Sequence, residues 1–141
     1  MKLKRLAILL LAAVMLACTF ASCASTVKTT VKIAFIDDEG NILIDPYEAV
    51  IKGENPTVMD AVKAVKDAYA TAEDFGQITI SDDESSVIAV DGKTESLTAD
   101  ADGNISYWMF LVNTKEPNGD ANEVAVAEGD NIVFQFVKKA K

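Results

Sequence analysis

The chain has 141 residues, no histidine, and 22 acidic against 13 basic side chains, for a net charge of −9. Without histidine it can form neither a Ser/His nor a Cys/His catalytic pair, and no histidine-bound zinc. The acidic excess repels nucleic-acid phosphates and anionic headgroups, so no nucleic-acid partner is expected.

The amino terminus reads as an export signal: "MKLKR" supplies positive charge, and the apolar run "LAILLLAAVMLA" is too short and wrongly flanked for a stable membrane span. Small residues then precede two cysteines, in "MLAC" ending at Cys18 and "FASC" ending at Cys23. A cysteine directly after such a run resembles the bacterial lipoprotein signal, in which it is lipidated and becomes the first mature residue. Cys23 fits that pattern better, because Ala21 and Ser22 precede it and the polar "ASTVKTT" follows; Cys18, after Leu16 and Ala17, is the alternative. The organisation expected is a signal peptide over 1–22, a tether over 23–30 and one domain over 31–138. The protein would be exported and lipid-anchored at the outer surface of a bacterial cell membrane. Removing residues 1–22 from 141 leaves 119, enough for one domain with a real core. The remaining 10 lysines face 22 acids, a balance of −12, so attachment would come from the lipid and not from a basic patch. Cleavage before Cys23 also leaves a single cysteine and excludes an internal disulfide.

Along the domain, "TVKIAFID" alternates, with Val31, Ile33 and Phe35 on one face and Lys32 and Ala34 on the other, as in a half-buried strand. The turn-forming "DDEGN" (37–41) leads into a second strand around "ILID", which Pro46 ends or confines to an edge. These two strands should form a hairpin. In "NPTVMDAVKAVKDAYA" the period becomes helical, with Val58, Ala61, Val62, Val65 and Tyr69 on one stripe, Thr57 as N-cap and Asp60 in the capping-box position. Short strands follow: "QITI", "VIAV" closed by Asp91-Gly92, "SYWMFLVN" and "NIVFQF". A hairpin, a helix and then further strands predict an α+β fold: a β-grasp-like mixed sheet of about five strands, with one helix packed across one face.

"SYWMFLVN" (106–113) differs from its neighbours. Trp108, Phe110 and Val112 alternate with Tyr107, Met109 and Leu111, so both faces are apolar, whereas the last strand sets Ile132, Phe134 and Phe136 against a row broken by Gln135. One row should be core. The other, taken to be the row of Trp108 and Phe110, should be accessible for binding, because aromatic side chains on a rigid strand give contact area at low entropic cost.

The helix opening "TVMDAVK", the strand "YWMFLVN" and the closing "VAEGDNIVFQF" together resemble the bacterial transcobalamin-like C-terminal domain family, whose function is mostly unknown. The resemblance spans roughly 31–137. It implies a β-grasp-like domain on exported proteins, and a corrinoid as the first ligand to test. The family usually continues Val-Asn with glycine in a tight hairpin, whereas Asn113 here meets Thr114, Lys115 and a longer loop through Pro117 and Gly119.

Catalytic chemistry finds little support. The carboxylates cluster in turns, where solvated charge is their ordinary role, and no glycosidase pair stands out. "DADGN" has its glycine at the fourth position and no glutamate at the twelfth, so it is a turn and not an EF-hand loop. "EGD" (128–130) launches the last strand. The function expected is a non-enzymatic surface binding module without catalytic residues, metal ligands or cofactor. Tyr107, Trp108, Phe110 and Asn113 are the candidate contacts, for a small planar ligand such as a corrinoid or, alternatively, for an envelope protein in adhesion or assembly. A concave pocket beside Trp108 would favour the first partner, and a flat apolar face or free sheet edge the second.

Overall fold

The computed structural model describes residues 27–70 and 77–141. The signal segment with Cys18 and Cys23, and the tether before residue 27, lie outside the described residues. The strands are β1 (Lys28–Ile36), β2 (Ile42–Lys52), β3 (Ile78–Ile80), β4 (Val87–Val90), β5 (Lys93–Thr94), β6 (Asn104–Val112) and β7 (Asn131–Ala140), with helix α1 (Val58–Tyr69) after β2. The fold is α+β. Its main sheet has the order β2-β1-β7-β6, and a smaller sheet has the order β3-β4-β5.

The hairpin of β1 and β2 forms as expected. Its turn is organised by Asp37, whose carboxylate accepts hydrogen bonds from the backbone amides of Glu39 and Asn41 and from the Asn41 side chain. Pro46 lies on edge strand β2, within an irregularity where Asp45 and Pro46 oppose the single residue Ala34 of β1, between the pairs Ile33–Tyr47 and Phe35–Ile44. A residue without an N–H is tolerated there because no ladder bond is lost.

The chain then crosses through α1. Thr57 accepts from the Asp60 amide while the Asp60 carboxylate accepts from the Thr57 amide, so the capping box is complete. Val58, Met59, Ala61, Val62 and Val65 are buried, and Tyr69 is half-buried against Tyr47 with ring centroids 5.5 Å apart. The last strand, β7, enters between β1 and β6, parallel to β1 and antiparallel to β6. First and last strands thus lie parallel at the centre, with the helix across one face, as the strand–helix–strand order predicts.

The three short strands make a sheet of their own. Asp91 and Gly92 both have positive φ, 47° and 77°, and form the two-residue turn that pairs Val90 with Lys93. A bridge between Ser96 and Ser106 then ties the chain after β5 to the edge of β6. Val87 and Val90 belong to the same core as the inward rows Val31-Ile33-Phe35 and Ile132-Phe134-Phe136 and the α1 stripe. Helix and small sheet therefore cover the same side of the main sheet. Among the described residues no helix is long and apolar enough to cross a membrane.

Candidate functional site

The two rows of β6 have different fates. Trp108 is buried at 9% exposure, and Phe110 and Val112 pack half-buried against the core. The Trp108 ring lies 5.1 Å from Phe136 and 6.4 Å, edge-on, from Phe35, and its Nε1 donates to the Lys93 carbonyl at 3.1 Å. Phe110 stacks on Phe134 at 5.4 Å. The row expected to be accessible is therefore the inward row. The reason lies in β3–β5, which approach β6 on that side and place a carbonyl acceptor where the buried indole needs one.

Tyr107, Met109 and Leu111 point the other way and are half-buried. Register places Val137 opposite Tyr107, Gln135 opposite Met109, and Val133 opposite Leu111; Ala34 and Ile36 continue the surface onto β1. All of these are half-buried, and among the described residues the helix and the small sheet lie on the other side of the sheet. The outward face is a broad apolar surface centred on Met109. Of the candidate aromatics only Tyr107 belongs to it. Met109, Leu111, Val133 and Val137 complete it, and the signal for the last two was the nearly continuous apolar run of "NIVFQFV", in which Gln135 is the single polar interruption.

Asn113 serves the scaffold. Its Nδ2 donates to the Asp130 carboxylate at 2.7 Å and its Oδ1 accepts from the Asn131 amide at 3.0 Å, while the other Asp130 oxygen accepts from the Ala127 amide. The end of β6 is thereby clamped to the "EGD" turn. A tight turn forms here without a glycine: Val112 and Lys115 exchange backbone hydrogen bonds around Asn113 and Thr114, with φ values of 50° and 68°. Threonine occupies a left-handed position there, and the longer loop begins after it.

The acidic turns are self-contained. Hydrogen bonds from the Ser81 and then the Ser85 hydroxyl hold the Asp83 carboxyl down to about 2. The Asn41 side chain, followed by backbone amides, lowers Asp37. The Asn104 amide, followed by Lys138, lowers Asp100, whose carboxylate organises the "DADGN" turn. Lys93 is raised by its hydrogen bond to Asp38 and lies 5.9 Å above the Phe136 ring, closing the Trp108 cluster at its end. Among the described residues no group of three or more Asp, Glu, Cys or His side chains is placed to hold a metal ion.

Residues 55–138 match the family described as a domain of unknown function, DUF4430. The chain belongs to that family. No curated protein matches it. Among solved structures, haptocorrin in complex with Cbi is similar over 83% of this chain, with a TM-score of 0.53 and 14% identity. This chain spans 28% of the haptocorrin chain. A candidate metal binding protein from Ruminococcus gnavus is similar over 79% of this chain and 98% of its own, with a TM-score of 0.44 and 13% identity. The likeness to haptocorrin is one of fold, and it agrees with the transcobalamin-like resemblance of the sequence motifs.

Proposed function

We propose that this chain is an exported, lipid-anchored, non-enzymatic binding module that makes its contact through the outward face of the main sheet. The outward apolar row Tyr107-Met109-Leu111, half-buried and continued by Val133 and Val137, carries this reading. An apolar sheet face left open on a soluble domain marks an interaction surface more often than idle exposure. A broad open face suits a protein, so an envelope protein is the partner favoured, in adhesion or assembly. The fold likeness to haptocorrin, whose structure holds Cbi, supports a second reading, in which a small planar ligand such as a corrinoid lies on the same face.

A photoreactive residue at position 109, with another at 110 as control, tests the proposal in intact cells. Position 109 should yield a discrete cross-linked product and position 110 none. A corrinoid titration of the purified protein separates the two readings: saturable binding lost in Tyr107→Ser selects the small ligand. The absence of both a cross-link at 109 and corrinoid binding would contradict the proposal.

A further inference from the structure

Within a net charge of −9, three lysines gather at one end of the β1–β2 hairpin. Register places Lys28 directly opposite Lys52 at the open end of the β1–β2 hairpin, and Lys32 lies four residues along β1. Alternation puts all three on the outward face, since Thr29, Val31 and Ile33 between them point into the core. All three are exposed, and none takes part in an ion pair among the described residues. Two acids stand beside them: Glu48, opposite Lys32, and Glu128, whose carboxylate accepts from the Thr30 amide at 2.6 Å, so the lysines outnumber the acids by three to two. Like charges directly opposite across two strands destabilise a free sheet. Exposed apolar side chains accompany them: Val27 at 54% and Val50 at 49%. This corner is also where the chain enters the domain, and only residues 24–27 separate Cys23 from Lys28. Fully extended, that segment reaches about 15 Å.

We propose that this corner of the sheet, Lys28, Lys32 and Lys52 with Val27 and Val50, docks on an anionic lipid surface. The proposal rests on the anchored reading for its geometry, since the short tether would hold this corner within reach of the headgroups. The lysines meet lipid phosphates while the two valines settle among the headgroups, the combination that binds interfaces. A negative surface potential falls off within a Debye length, so a corner held this close feels it while the distant acidic loops do not. Docking there would fix the orientation of the domain relative to the membrane.

The test uses the full protein purified from the membrane fraction, with Val50→Cys carrying an environment-sensitive fluorophore and Asp82→Cys as a loop control. It is mixed with vesicles of phosphatidylcholine, alone or with phosphatidylglycerol. On the anionic vesicles the label at 50 should shift to the blue, the label at 82 should not, and high salt should reverse the shift. Each of Lys28→Gln, Lys32→Gln and Lys52→Gln should weaken the response about fivefold. A label at 50 that stays in water on both vesicle types, or a shift that persists without the lysines, overturns the proposal. A shift with soluble polyglutamate but none with anionic vesicles overturns it in favour of an acidic protein. Intact mass reports the anchor separately. An unmodified chain that still sediments with anionic vesicles in a lysine-dependent way upholds the corner and overturns only the anchor. A lipid-modified chain whose label at 50 stays in water overturns the corner and keeps the anchor.

Discussion

The indole Nε1 of Trp108 donates to the backbone carbonyl of Lys93, 3.1 Å away, joining the edge of the main sheet to the small one. This contact decides which row of β6 faces the core. It also makes the lone tryptophan a reporter of the junction. Its emission should be blue-shifted and poorly quenched by acrylamide. Trp108→Ala should cost about 3–5 kcal/mol, a large part of a typical domain's stability. Water-like emission with free quenching would refute the inward placement.

The helix supplies a second check. Val62 is fully buried on the sheet side of α1, so Val62→Asp would place an unpaired charge in the core and should unfold the domain. Circular dichroism against temperature reads this directly. An unaltered melting curve would show that the stripe is not buried.

These features were unequally legible in the sequence. Thr57 with Asp60 and the valine stripe fix α1 through local chemistry, and "DDEGN" fixes the first turn because Asp37 finds its hydrogen-bond partners within four residues. Pro46 correctly indicated an edge. Alternation separated the rows of β6 but could not say which would be covered, because that depends on where β3–β5 pack, and these strands are only two to four residues long. Asn113 resembled a ligand contact since its partners, Asp130 and Asn131, lie 17 and 18 residues away. The net charge was informative about nucleic acid and silent about how lysines are distributed over a sheet.

Thr114 holds a left-handed conformation that costs a residue with a β-branched side chain about 1–2 kcal/mol. Thr114→Gly should therefore stabilise the domain, by about 1 kcal/mol once the greater freedom of glycine in the unfolded chain is counted. In contrast, Asn113→Ala removes both clamps on the "EGD" turn and should destabilise by about 1–3 kcal/mol. Chemical denaturation of the two variants should move in opposite directions; destabilisation by Thr114→Gly would refute the strain.

The acid limb of stability has a definite sign. Asp83 titrates near 2 in the folded chain against an ordinary 3.8, so the unfolded chain binds more protons between those values. Its contribution is present above about pH 4 and lost as pH falls toward 2. Asp37 and Asp100 are lowered as well and act in the same direction. Melting temperature should fall through this window, and Asp83→Asn should make the fall shallower. An identical slope in the variant would show that the Ser81 and Ser85 hydrogen bonds contribute nothing to acid stability.

The central claim, that the outward row of β6 is the contact face, is tested most directly by comparing thiol labelling at position 109 in two settings. Met109→Cys should react readily with a maleimide in the purified protein and at least about tenfold more slowly in the intact envelope, as expected for a side chain desolvated at the centre of an interface. Asn118→Cys, exposed in the loop after β6, should react alike in both. Equal labelling of position 109 in the two settings would show that nothing occupies this face, and would contradict the account.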